Sequence, residues 1–423
     1  MSKALLVTVG VGKAGDVHQA ILRSVKQTNP DRLILLVTKT SKEQTYETCL
    51  KPALAARPHS TEDLTDPDDL DKTYCECYRT IRSLLREGFP PDDISVDFTS
   101  GTKVMSAALC MAALELGVKS YIYVAGERGE YGRVSSGHMK LISSPVVSAA
   151  SVRLLSLAVR FFNAYRFEAA GEIAKPFCED YAPRIAQPAR TLCQFAEALD
   201  LWDRFEYAKA FEALKRIPQS TSDPFALVKQ KQRMISHVEE CKRTIEFFEQ
   251  QHRSKASRPT SVAPLVADML ANASRRASEA RYDDAVARLY RLTEFLAQAK
   301  LELDHGVNTA CPTESQKFAQ LQDKLCWPNE GDKRLALEQS YKALDVLGDP
   351  FGQRFFQLKI AKAKNTRNSS FLAHGFATLD KDKYESMESA VTTLIEVYPG
   401  DITKAECGAR FPELDISALD NLT

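Results

Sequence analysis

The chain lacks an excess of charge of either sign, a cysteine pair with metal-binding spacing, and any long apolar run. Its 56 basic residues are balanced by 56 acidic ones, for a formal net charge of +0. A dedicated duplex-DNA binder draws its affinity from neutralising phosphates and carries a basic surplus, so stable duplex DNA binding is not expected. Any nucleic acid is met in a local site. There are 10 cysteines but no CxxC; Cys75-x-Cys77 is too tight for zinc and the others are scattered, as are the 7 histidines. No structural metal and no cofactor are expected. The apolar run after Met1 is too short for a signal peptide, and no stretch is long enough to cross a membrane. These absences read as a reduced, cytoplasmic protein without a membrane partner.

What is present falls into three regions. With 423 residues, 44% hydrophobic and 26% charged, the chain has room for two or three cores. Up to about residue 145, short apolar runs alternate with helical periodicity. Ala4–Val9, Leu33–Thr38, Ile94–Phe98 and Tyr121–Val124 read as strands, and Asp16–Lys26, Thr73–Arg86 and Thr102–Leu116 as helices. Pro58–Asp71 reads as polar and irregular, Gly126–Gly132 as a turn, and His138–Ile142 as a final strand. Continuous apolar strands separated by helices predict a mostly parallel sheet covered on both faces. From Ser148 the helical period takes over. Three similar strings, at Asn163-Ala-Tyr-Arg-Phe, Asp203-Arg-Phe-Glu-Tyr and Glu279-Ala-Arg-Tyr, each put an aromatic residue at a helix–helix corner. They predict antiparallel helix hairpins rather than a repeat array. The Ser-, Pro- and Arg-containing stretch 253–264 reads as a linker. The expected organisation is 1–147, 148–260 and 261–423: an α/β Rossmann-like domain, an all-α connector and an all-α C-terminal domain.

Two loops in the first region have the chemistry of anion sites. Gly10-Val-Gly-Lys-Ala-Gly15 follows the first strand and opens a helix. Its glycines let backbone approach phosphate, and the helix start favours negative charge. A dinucleotide site would also place an acid at the end of the second strand, where this chain has Thr38-Lys-Thr40, so an NAD(P) oxidoreductase is disfavoured. The second loop, Asp97-Phe-Thr-Ser-Gly-Thr-Lys103-Val-Met-Ser106, offers hydroxyls, backbone amides and a cation where another helix begins. Ser100 and Thr102 could equally be helix caps. Taken together, the loops point to one shared, nucleotide-like ligand.

The start Val-Thr-Val-Gly-Val-Gly with Asp97-x-Thr-x-Gly-Thr-Lys-x-Met resembles CARF domains, the Rossmann-like sensors of CRISPR-associated proteins. The resemblance implies binding of a cyclic oligoadenylate across the two-fold axis of a homodimer. Thr8, Gly10, Val11, Gly12 and Lys13 would form one wall, and Thr99, Ser100, Gly101, Thr102 and Lys103 the other. Slow degradation of the activator by the sensor itself is left open.

Near the other end lies Arg367-Asn-Ser-Ser370-Phe-Leu-Ala-His374-Gly. On a helix, positions seven apart project from one face, roughly 10 Å along the axis. Histidine can move protons near neutral pH, and an arginine fork can stabilise charge on a scissile phosphate. On spacing alone His374 could simply cap a helix and Arg367 be solvated. The full string resembles the R-x4-6-H motif of HEPN ribonucleases, here with a six-residue spacer at the long end of the range. That resemblance makes Arg367 and His374 catalytic, with Asn368 and Ser370 beside them. It implies attack by the ribose 2′-hydroxyl to leave a 2′,3′-cyclic phosphate, without a metal. Arg288, Arg291 and Glu294 on the helix from Tyr282 are supporting candidates, or partners of one another.

Sensor first and nuclease last, the chain resembles the CARF–HEPN ancillary ribonucleases of type III CRISPR systems. The implied function is a cyclic-oligoadenylate-activated, homodimeric, single-stranded RNA endoribonuclease. A non-catalytic nucleotide-sensing regulator whose helical end only dimerises stays open on the residues alone.

Overall fold

The computed structural model describes residues 2–11, 16–125, 140–145, 147–179, 181–219, 223–249, 258–325, 334–358, 360, 376–398 and 402–422. They form two compact units, Met1–Arg153 and Leu154–Leu422.

The first unit is built on a sheet in the order β3-β2-β1-β4-β5-β6, with β1 (Ala4–Thr8), β2 (Arg32–Val37), β3 (His59–Asp63), β4 (Ile94–Asp97), β5 (Ser120–Ala125) and β6 (Lys140–Pro145). The first five strands are parallel; β6 runs antiparallel to β5, pairing Ala125 with Lys140 and Ser120 with Pro145. The continuous apolar runs arise because both faces are covered. Ala4, Leu6, Ile34, Leu36, Ile94 and Val96 turn to one face, against α2 (Leu70–Arg86) and α3 (Lys103–Glu115). Leu5, Val7, Leu33, Leu35 and Val37 turn to the other, against α1 (Asp16–Thr28) and the helical stretch 39–53. Each buried Leu, Ile or Val among them contributes roughly 1.5–3 kcal/mol.

Strand β3 departs from the sequence expectation, and residues 39–53 form an element for which none was made. Pro58–Asp71 contains β3, a strand of sequence His-Ser-Thr-Glu-Asp that among the described residues pairs with β2 alone, at the sheet edge, and is half-buried or exposed throughout. An edge strand needs no apolar face, so periodicity does not announce it. Residues 39–53 are helical with π-type pitch over Lys42–Leu50, which spaces the buried Thr45, Tyr46 and Leu50 off the ordinary helical period. The final strand is described over Lys140–Pro145; His138 and Met139, where it was expected to begin, and the turn expected at 126–132 lie outside the described residues.

The second unit is helical. From Val147 the described residues form the helices α4 (Val147–Asn163), α5 (Phe167–Ala174), α6 (Pro183–Asp203), α7 (Tyr207–Arg216), α8 (Leu227–Glu249), α9 (Ala263–Ser278), α10 (Tyr282–His305), α11 (Phe318–Lys324), α12 (Leu337–Val346), α13 (Pro350–Gln357), α14 (Lys381–Glu396) and α15 (Ile402–Ala409). The three similar strings are three copies of one corner. Tyr165, Phe205 and Ala280 sit at φ of 59°, 63° and 58°. In each corner the next amide reaches back five residues: Arg166 to Phe161 O, Glu206 to Leu201 O, and Arg281 to Arg276 O. These are Schellman closures, made here without glycine. Left-handed backbone costs a non-glycine residue roughly 1–2 kcal/mol, which the packing of the hairpins offsets.

Buried polar pairs tie the corner after α6 to α9. Asp203 accepts from Arg275 Nε at 2.7 Å, from Arg276 and from Asn272 Nδ2 at 3.0 Å. One helical turn earlier on α9, the fully buried Asp268 accepts from Trp202 Nε1 at 2.8 Å and Tyr207 OH at 2.6 Å. The segment after α15 closes over this centre. Phe411 lies edge-on to Trp202 at 4.9 Å, with the Arg275 guanidinium 3.9 Å from its ring centre, and Asn163 exchanges two hydrogen bonds with the backbone of Leu414. Around α10, Tyr341 stacks on Phe355 at 3.8 Å and donates to Thr293 O at 2.8 Å.

Removing one partner of a buried charge cluster strands the others. Asp203→Ala is therefore expected to lose about 3–5 kcal/mol in urea denaturation of the second unit. A loss below 1 kcal/mol would show that the cluster does not hold α6 to α9.

Candidate functional site

The strand order reverses between β1 and β4: β2 and β3 lie to one side of them, β5 and β6 to the other. In open parallel sheets the crevice beyond the carboxyl ends at such a switch point is where ligands sit. Both anion-type loops emerge there, since Val7 of β1 pairs with Asp97 of β4.

The loops are held together by backbone proximity and paired hydroxyls. A Cβ on Gly10 would fall 2.4 Å from Gly101 N, and Gly101 itself has φ +99°. The Thr8 hydroxyl donates to Ser100 O, while the Ser100 hydroxyl donates to Thr8 O. Gly10 N donates to Ser100 Oγ at 3.3 Å, and Thr45 Oγ1 donates to Gly10 O at 2.9 Å. Beneath them lies Asp97, fully buried. It accepts from Ser24 Oγ at 2.5 Å, Thr99 N at 2.8 Å and Thr99 Oγ1 at 2.5 Å. Burial pushes its carboxyl above the ordinary range, against the opposing effect of the Ser24 and Thr99 hydrogen bonds.

The predicted wall residues thus divide. Thr8 and Ser100 are buried and spend their hydroxyls joining the loops. Thr99, half-buried, donates to Asp97 and accepts from Val124 N at 2.8 Å. Thr102 caps α3, accepting from Met105 N at 3.1 Å, and donates to Pro67 O at 3.0 Å. Val11 is 51% exposed, and Gly101, Thr102 and Lys103 face solvent. Lys103 adds a cation in the first turn of α3, where the helix dipole favours an anion. Gly12 and Lys13 lie outside the described residues. Asp97, Ser24 and Thr45, which hold the loops in place, were not among the predicted site residues. A carboxylate ending a buried apolar strand was the available signal for the first.

At the C-terminal end, Arg367, Asn368, Ser370 and His374 lie outside the described residues. The helix before them, α13, is anchored through Asp349, which accepts from Phe351 N at 3.0 Å and pairs with His305 at 2.9 Å. Arg288 turns inward to Asn272 Oδ1 and to Asp284 at 3.5 Å, joining the Asp203 centre. Arg291 pairs with Glu294 at 3.6 Å and with Gln298 at 3.0 Å. These three therefore have structural partners. Among the described residues no group of three His, Cys, Asp or Glu could hold a metal ion, and no helix is long and apolar enough to cross a membrane.

Residues 254–398 match the family model of the Csm6 HEPN domain, a span that includes Arg367 and His374. The C-terminal region is similar to the HEPN domains of that family. The fold as a whole is similar to that of Enterococcus italicus Csm6 bound to cyclic hexa-2′-fluoro-hexa-dAMP, with a TM-score of 0.50, 12% identity and all of both chains covered. A type III CRISPR defence DNA nuclease activated by cyclic oligoadenylate aligns over 50% of this chain and 35% of its own, with a TM-score of 0.25 and 15% identity. No curated protein matches the chain. A Rossmann-like unit therefore precedes the region that matches the HEPN model.

Two substitutions test the loop geometry. Gly10→Ala forces a carbon into the Gly101 backbone and is expected to lose about 1–3 kcal/mol, read as a lower thermal midpoint; an unchanged midpoint would contradict the close approach. For Asp97 the folded chain keeps its proton to higher pH than the unfolded chain. Its stabilising contribution is complete below the ordinary carboxylate range and is lost as pH rises through the raised value. Asp97→Asn should flatten that part of the stability–pH curve while keeping the Thr99 contacts, whereas Asp97→Ala should cost about 1–3 kcal/mol. Parallel curves for parent and Asn variant would refute the assignment.

Proposed function

We propose that the chain is a cyclic-oligoadenylate-activated endoribonuclease of type III CRISPR defence. The observation that carries this is the match to the Csm6 HEPN domain over Arg367 and His374, in a chain whose other end brings two anion-type loops to one sheet switch point. The activator seats against Val11, Gly101, Thr102 and Lys103, with Gly12 and Lys13 completing the wall. Two copies of the chain share one ring. An apolar cleft of about 270 Å³ in the first unit, lined by Phe98, Met111, Leu114, Tyr123 and Ile142, supports a partner there, since Met111 and Ile142 are 49% and 41% exposed.

In the HEPN domain, His374 moves the protons and Arg367 stabilises charge on the scissile phosphate, with Asn368 and Ser370 placing the strand. The 2′-hydroxyl attacks the adjacent phosphorus, the P–O5′ bond breaks, and the products carry a 2′,3′-cyclic phosphate and a 5′-hydroxyl. DNA lacks the nucleophile, so the substrate is single-stranded RNA, and no metal takes part. Residues 148–260 act as the connector. The buried Asp203 centre and the Phe411 closure make the connector helices and the HEPN helices one packed body, which suits the passage of a rearrangement. By linkage, the ring must bind the active arrangement better than the inactive one. Slow breakdown of the ring in the sensor is a second activity to be scored in the same assay.

The similar Csm6 structure holds a cyclic hexanucleotide, so cyclic hexa-adenylate is the first ring to test, beside the tri- and tetra-adenylates. RNA cleavage is expected only with a ring present, unaffected by a chelator, and reduced at least about 100-fold in His374→Ala and in Arg367→Ala. Undiminished cutting by His374→Ala would overturn the site, and silence with every ring would overturn the enzyme.

A further inference from the structure

The outer face of α2 carries a feature that the sensor and nuclease sites do not use. Its inner face is fixed in the core by Cys77, Ile81 and Leu84. Arg79, Arg82 and Arg86 follow one another at three- and four-residue spacing, so they form a single stripe about 10 Å long. All three are exposed, and none has an ion pair or hydrogen bond to the described residues. Beside the stripe, Tyr74 and Tyr78 lie half-buried with ring centres 5.9 Å apart. Together these residues line an open groove of about 540 Å³ toward the end of α3. The acid at that end, Glu115, is already paired with Arg153 at 2.7 Å, so it does not offset the stripe.

We propose that this groove holds a single strand of RNA, its phosphates on Arg79, Arg82 and Arg86 and its bases against Tyr74 and Tyr78. The chain is neutral overall, so three guanidiniums in a row without a partner among the described residues are a local charge that phosphate complements. Aromatic rings next to cations suit unpaired bases, which present their faces, and not a duplex, which hides them. The choice of RNA rests on the ribonuclease reading above; the groove adds a place, away from the HEPN motif in sequence, where the substrate strand is gathered.

The test is fluorescence anisotropy of the full chain with a labelled 2′-O-methyl RNA 20-mer, which binds but lacks the attacking hydroxyl. The triple variant Arg79→Gln, Arg82→Gln, Arg86→Gln should bind at least ten-fold more weakly. Its plot of log K against log salt should be shallower by about 2, at about 0.7 per lost phosphate contact on a single strand. Tyr74→Leu with Tyr78→Leu should weaken binding at least three-fold and leave the slope unchanged. If the triple variant does not fold, Arg82→Gln alone should lower the slope by about 0.7. Parent-like affinity and slope in the arginine variants would overturn the proposal, as would no binding by the parent. A changed oligomeric mass in the triple variant would make this face a chain–chain contact, which also overturns it. Lost cleavage with intact RNA binding would instead count against the HEPN chemistry and leave the groove standing.

Discussion

The loops after β1 and β4 approach so closely that there is room for hydrogen and not for carbon between Gly10 and Gly101. Everything at the sheet's switch point depends on that contact. It lets Thr8 and Ser100 exchange hydroxyl-to-carbonyl hydrogen bonds across the two loops. It also sets the start of α3, whose first turn carries Lys103. Among the described residues, a ligand meeting this edge meets backbone and the Lys103 cation on a stiff base, because the hydroxyls of Thr8, Thr99, Ser100 and Thr102 are already engaged. Asp97 supplies the stiffness from below. A carboxylate kept out of water needs donors, and it finds them on α1 and on its own loop.

The helical unit relies on a similar economy of buried charge. Asp203 stands at a helix corner with left-handed Phe205 two residues on, and it gathers Asn272, Arg275 and Arg276 from one turn and a half of α9. Arg288 reaches the same cluster through Asn272. The end of the chain then lays Phe411 over Arg275 and Trp202. Helices from the region read as a connector and helices of the region that matches the Csm6 HEPN model thereby share one polar centre. A shift of the α6–α7 corner cannot leave α9 untouched, which is the physical requirement for passing a signal along the chain.

Much of this was legible in the sequence, and the exceptions have physical causes. Strands β1 and β2 are buried on both faces and read as apolar runs, while β4 and β5 carry enough apolar residues between their helices to be read as strands. Strand β3 is an edge of polar residues held by backbone pairing to β2, and backbone pairing leaves no side-chain signature. The stretch 39–53 escaped because its π-type turn places buried residues off the usual period. The three corner strings were visible as aromatic punctuation, but their shared left-handed residue only in three dimensions. The two anion loops were legible as motifs. Their mutual closeness was not, since Thr8 and Ser100 are 92 positions apart and nothing local couples them. The same holds for Phe411, and for Arg288, a candidate support whose partners Asn272 and Asp284 lie beside the Asp203 centre.

The central claim is that two copies of this edge enclose one cyclic oligoadenylate. Isothermal titration of the full chain with cyclic hexa-adenylate, alongside the tri- and tetra-adenylate rings and a linear hexa-adenylate, tests it directly. The account predicts saturation at one ring per two chains for one ring size, with the linear form far weaker. Saturation at one ring per chain, or no binding of any ring, would contradict it.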